Sequence, residues 1–254
     1  MDLSVKIMSK ADSISSILKF QTPDTSSYWQ DALFKAYPFL DKDKCLHSSW
    51  ENKKQYLSAE FSTLYDKLYP ALQNKCANSQ KIWNQNQANI NHIFSQVFNL
   101  DCAHLFNNMV AEISLNPVCP RNLRMQSYSA IWAGDENNFL KTSLHEMIHF
   151  VWFYIWKKHF QDNWPEYEAP NLKWILSEMV IDTFVKNTTI GHIFPKPYKE
   201  KPAYQYFYNM KIGDNFILTE LSKLYLNATN IIIFMEQAYQ YCLNHEELIR
   251  KQML

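Results

Sequence analysis

Residues 145–149 read His145-Glu146-Met147-Ile148-His149, two imidazoles four residues apart with a carboxylate beside the first. Side chains at that spacing share one face of a helix, so both rings can reach a single metal ion. The glutamate then stands close enough to take a proton from a water activated there. With 8 His among 254 residues, chance alone would produce this pattern about 0.013 times. The flanking Leu140, Leu144, Ile148, Val151, Trp152 and Ile155 suit a buried helix. Polar groups inside so apolar a helix need partners, because unpaired buried polar groups are costly.

A catalytic zinc site of this kind takes three protein ligands and leaves a fourth position for water. The extended HExxHxxGxxH pattern is excluded, because Trp152 and Ile155 occupy its Gly and second His positions. Two glutamates compete for the third place. Glu168 lies between Pro165 and Pro170, in a stretch that reads as a loop. Glu178 lies within Leu176-Ser177-Glu178-Met179-Val180-Ile181-Asp182, a strongly apolar helical run, and is the stronger candidate. The expected ligands are therefore His145, His149 and Glu178, with Zn²⁺ favoured by the donor types. Asp182 falls one turn beyond Glu178 on the same face, placed to fix a ligating imidazole through its second nitrogen.

The elements that must hold these residues are readable in outline. Residues 1–100 look helical, with apolar residues at three- and four-residue spacing in 26–37, 52–69 and 88–98. The Asn- and Gln-rich stretch 73–91 is either an exposed helix or a linker. After about Asp101 the character changes: 109–115 and 125–132 are short and rich in β-formers, separated by Asn116-Pro117 and Cys119-Pro120. Ala133-Gly134-Asp135 makes a turn, and Asn137 or Asn138 is positioned to cap a helix over 139–160. A loop from Trp164 to Pro170 follows, then a helix from Asn171 to about Lys186. Pro195, Pro197 and Pro202 mark an irregular stretch, and helix returns from Phe216. The predicted class is α+β and mainly helical: a helical region over 1–100, then a domain over 101–254 with a small sheet ahead of the HExxH helix, the two either separate or one continuous domain.

The pattern His145-Glu146-x-x-His149 with a helical Glu178-x-x-x-Asp182 resembles the gluzincin zinc metallopeptidases. The run from Glu178 to Phe184 also resembles the matching helix of regulatory metallopeptidases that cleave phage-type repressors, which carry Asn where this chain has Asp182. The resemblance spans about residues 105–186. It implies a zincin-like fold, a zinc-activated water with Glu146 as general base, and a peptide or protein substrate. It also implies an edge strand that pairs with extended substrate, for which 125–132 is the candidate. An oxyanion donor is expected after the second helix. His192 is the leading choice there, ahead of Tyr198, Tyr204, Tyr206 and Tyr208. His47, His92, His104, His159 and His245 show no metal-binding spacing.

Composition narrows the alternatives. Lys+Arg and Asp+Glu are both 25, which gives no excess of positive charge for nucleic acid. Gly occurs only at 134, 191 and 213, so neither a GxGxxG turn nor a P-loop can form. No apolar stretch approaches the ~18 residues that span a bilayer, and the start does not read as a secretory signal. Five scattered cysteines without a CxxC pair fit reduced thiols in a cytoplasmic protein. Two functions remain: a zinc-dependent peptidase or amide hydrolase, and a non-catalytic module of the same fold that binds metal or a protein partner.

Overall fold

The computed structural model describes residues 1–160, 167–196 and 198–253. The expected loop residues Trp164 and Pro165, and Pro197, lie outside the described residues. The chain is α+β, 66% helical, with a small mixed sheet. It divides into two compact units, each assembled from separate stretches. One comprises Met1–Gln87 and Phe106–Leu140, the other Ala88–Leu105 and Lys141–Leu254. Among the described residues no helix is long and apolar enough to cross a membrane.

The first unit is built on the sheet, and its first strand corrects the expectation that residues 1–100 are all helical. β1 (Leu3–Ile7) buries Leu3 and Val5 and exposes Ser4 and Lys6, the period of two that a half-buried strand requires. It runs parallel to β2 (Met109–Ser114), with Val5 opposite Ala111. The two-residue β3 (Arg121–Asn122) and β4 (Ser127–Ile131) complete the order β1-β2-β4-β3, with β4 parallel to β2 and antiparallel to β3.

Both margins of this sheet are occupied. The expected open edge at 125–132 is covered at its centre: β3 pairs with Ser127 and Tyr128, and the Ser129 N–H donates to the Pro120 carbonyl at 2.8 Å. On the opposite margin, helix α4 (Trp50–Phe98) supplies side chains in place of a neighbouring strand. Gln80 Oε1 accepts from the Val5 N–H at 2.7 Å, its Nε2 donates to the Leu3 carbonyl at 3.0 Å, and Cys76 Sγ donates to the Val5 carbonyl at 3.3 Å. Exposed strand edges invite pairing with other chains, and these side chains consume the groups that would do it.

Helices α1 (Lys10–Lys19), α2 (Ser27–Ala36) and α3 (Lys42–Leu46) precede α4. Ser9, Ser26 and Asp41 cap them by accepting from backbone N–H groups of the first turn. The stretches 52–69, 73–91 and 88–98 join into the single 49-residue α4, with Pro70 inside it. Midway along, Lys75 is buried and its Nζ donates to the carbonyls of Gly134 (3.0 Å) and Asp135 (2.8 Å). That contact pins the turn from which the HExxH helix starts.

The second unit is packed around two helices buried on nearly every side. α6 (Glu136–Phe160) begins in the first unit and enters the second at Lys141. Its cap is Asp135, whose carboxylate accepts from the Asn138 N–H at 2.9 Å, rather than Asn137 or Asn138. Gly134 has φ +93°, and a Cβ there would lie 2.8 Å from Asn138 Nδ2. A side chain at 134 would strain the turn and crowd the cap. α7 (Leu172–Asn187) is buried continuously from Leu172 to Val185. Short α5 (Cys102–Leu105) follows α4, while α8 (Ile190–Ile193), a 3₁₀ turn (Gln205–Asn209) and the hairpin of β5 (Lys211–Ile212) and β6 (Asn215–Phe216) lead from α7 to the C-terminal helices. These are α9 (Ile217–Asn227), α10 (Ile231–Asn244) and α11 (Glu246–Met253). Phe184 of α7 is the hub, its ring within 4.9–6.2 Å of Phe98, Trp152, Tyr225 and Phe234.

Candidate metal centre

His145 and His149 lie one turn apart on α6 with their rings 4.7 Å apart at 71°. Their Nε2 atoms are 3.0 Å from each other, and Glu178 Oε2 of α7 is 3.3 Å from both. Three donor atoms from two helices thus form a small triangle. Among the described residues, this is the group of His, Cys, Asp and Glu side chains that could hold a metal ion. Bonds of ~2.0–2.1 Å in a tetrahedron set neighbouring ligands about 3.3 Å apart, so the three atoms could share one metal ion. An imidazole Nε2 without its proton is an acceptor, as is a carboxylate oxygen, so convergence of three such atoms would favour a cation between them.

The surroundings hold the donors in place. His149 and Glu178 side chains are 0% and 2% exposed, whereas His145 is 14% exposed and marks the side open to solvent. The His149 ring stacks on Phe153 at 6.3 Å, and Phe153 stacks on Tyr167 at 4.5 Å. This column restricts the imidazole before any ion arrives. His145 Nδ1 is buried with no hydrogen-bond partner among the described residues.

Other predicted residues fall in different places. Glu146 is buried on α6, three residues before His149, a spacing that puts neighbouring side chains on the helix surface. Glu168 is exposed in the turn before α7, where its carbonyl accepts from the Asn171 N–H and Nδ2, and is not one of the converging groups. His192 is exposed on α8 and does not join the cluster. The bonds of Asp182 differ from the expected histidine contact. Its Oδ1 accepts from the Tyr208 hydroxyl at 2.7 Å and pairs with Lys186 Nζ at 2.9 Å.

Tyr208, one of the tyrosines considered as an oxyanion donor, is thus committed to α7. Its hydroxyl accepts from the Ala203 N–H at 3.1 Å while donating to Asp182. Burial raises the hydroxyl pKa well above the usual phenol range, and the Asp182 carboxylate adds to the rise. Lys186 closes this network from four residues along the same helix, with its ammonium 5.1 Å from the Tyr208 ring centroid. The Asp-x-x-x-Lys spacing is a visible sequence signal for that ion pair. The tyrosine, twenty-six residues away, has none.

Comparison with protein families, with curated proteins and with solved structures finds no match to this chain.

Proposed function

We propose that this chain is a zinc-dependent hydrolase of peptide or related amide bonds, gluzincin-like in its ligand set and zincin-like in fold. The observation that carries the reading is the convergence of His145 Nε2, His149 Nε2 and Glu178 Oε2 beside a buried Glu146. Zinc held by those three atoms supplies Lewis acidity, polarising a carbonyl and lowering the pKa of water to about 7. Glu146 then holds at its carboxylate the proton released as water adds to the scissile carbonyl carbon. It returns that proton to the amine nitrogen as the C–N bond breaks. Phe153 and Tyr167 keep the His149 ring aligned, and the exposed flank of His145 is the side from which a substrate approaches.

The test pairs metal analysis with peptide digestion. Wild-type protein supplied with zinc is expected to cleave members of a mixed peptide library, read by mass spectrometry, and to stop when a chelator is added. Glu146→Gln is expected to keep its zinc and lose cleavage. A Glu146→Gln variant that cleaves at the wild-type rate would refute the assigned role. A wild-type protein that takes up no zinc would remove the reading altogether.

A further inference from the structure

A second cleft in the same unit lies away from the metal-facing triangle and has a chemistry of its own. It encloses about 760 Å³ between the end of α4, the last turns of α6 and the start of α10. That volume falls within the ~300–1,000 Å³ typical of small-ligand sites. Its walls are mainly apolar, with Phe98, Leu100, Ile155, Ile231, Ile232 and Ile233 among them, and Asn99, Thr229 and Asn230 add polar surface. The three consecutive isoleucines are only half-buried although they begin a helix, where polar or acidic residues are favoured.

Of the side chains that line this cleft, Lys158 carries the positive charge. Among the described residues, no aspartate or glutamate lines it, while Lys158 and His159 do. Glu236 holds His159 at 3.0 Å, but Lys158 is exposed and makes no ion pair among the described residues. The start of α10 is already satisfied, because Asn230 Oδ1 accepts from the N–H groups of Ile232 and Ile233 at 3.0 Å. An anionic headgroup therefore falls to the Lys158 ammonium, with the apolar walls left for a hydrocarbon body.

We propose that this cleft binds a small amphiphilic acid, an alkyl or aryl chain ending in a carboxylate. The tail lies against Leu100, Ile155 and the isoleucine run, and the carboxylate meets Lys158 Nζ.

Decanoate and decyltrimethylammonium, equal in tail and opposite in charge, are the probes, titrated into the full chain by calorimetry. Decanoate is expected to saturate at one molecule per chain and to bind at least about tenfold more tightly than the cation, since charge-assisted contacts are the stronger class. Lys158→Glu, a surface change whose fold is checked by circular dichroism, is expected to weaken decanoate at least about tenfold. Each titration is run with zinc and again with a chelator, because the metal centre could itself capture a carboxylate. Equal binding in both supports the cleft and is independent of whether the chain proves to be a hydrolase. Binding only with zinc places decanoate at the metal centre and overturns the proposal. Equal affinity for the two probes, an unchanged Lys158→Glu, or no saturable binding would also overturn it.

Discussion

Replacing Glu178 by Gln separates a residue kept for a metal from one kept for the fold. The two side chains have nearly the same volume, and position 178 is 2% exposed. The change removes one negative charge from a buried triangle with edges of 3.0, 3.3 and 3.3 Å and leaves a weak amide ligand. Structural zinc sites bind with ~10–16 kcal/mol; shared over four ligands, that is about 2.5–4 kcal/mol each, or a factor of about 10²–10³. Zinc at a hundred times the wild-type Kd stabilises the native state by about 2.7 kcal/mol. For a chain of this length that corresponds to a rise in Tm of about 5–11 °C. At the same zinc concentration the variant sits near or below its own Kd, so its gain is under about 0.4 kcal/mol, or about 2 °C. Without metal, the variant should melt close to wild type, because the replacement keeps the side-chain volume and removes a buried charge whose desolvation is costly. Scanning calorimetry in chelator-buffered zinc reads all four states. Equal zinc shifts in both proteins would refute the ligand assignment. A metal-free variant that melts several degrees below wild type would show that Glu178 serves the fold.

Phe184→Ala empties the hub of the second unit, where the ring is 0% exposed, and should cost about 3–5 kcal/mol in denaturant unfolding. Tyr208→Phe removes the hydroxyl that donates to a buried carboxylate and should cost about 1.5–3 kcal/mol. Because the Tyr208 pKa is raised in the folded state, its contribution is complete below the unfolded value of about 10 and declines as pH rises above it. The alkaline loss of stability should therefore be shallower in Tyr208→Phe than in wild type, as read by denaturation across that range. Lys75→Met leaves the Gly134 and Asp135 carbonyls without their ammonium and should lower stability by about 2–3 kcal/mol, with fraying at the start of α6 visible in hydrogen exchange. Burial pushes the Cys102 thiol up to about 11 and Cys242 to about 12, and Cys45 is also buried. A thiol reagent near neutral pH should therefore reach at most Cys76 and Cys119 in the native protein, and all five cysteines in denaturant.

What could be read from the sequence was what neighbouring residues decide together. The HExxH spacing and the apolar run around Glu178 are periodic within single helices, and the structure brings their donor atoms to within 3.3 Å. The features that escaped depend on distant partners. Leu3-Ser4-Val5-Lys6-Ile7 alternates as a strand should, yet five residues are too few to declare it without β2, which lies beyond the whole of α4. Asp182 shares a helical face with Glu178, but which group its carboxylate meets depended on where a proline-rich segment would deliver Tyr208. The cap of α6 fell to Asp135, because Gly134 turns the chain two or three residues earlier than the asparagines suggest. The edge at 125–132 was hidden by a two-residue strand too short to leave any pattern.

The side chains that α4 lays along β1 also bear on the order in which the chain is made. Val5 pairs with Ala111, so β1 leaves the ribosome about a hundred residues before its strand partner. At 5–20 residues per second that is roughly 5–20 s during which Leu3, Val5 and Ile7 have no sheet to join. Cys76 and Gln80 emerge well before β2, and they address the Val5 N–H and the Leu3 and Val5 carbonyls directly. Helix α4 can therefore act as a splint, presenting side-chain amide and thiol groups to the nascent strand until β2 arrives at its other margin.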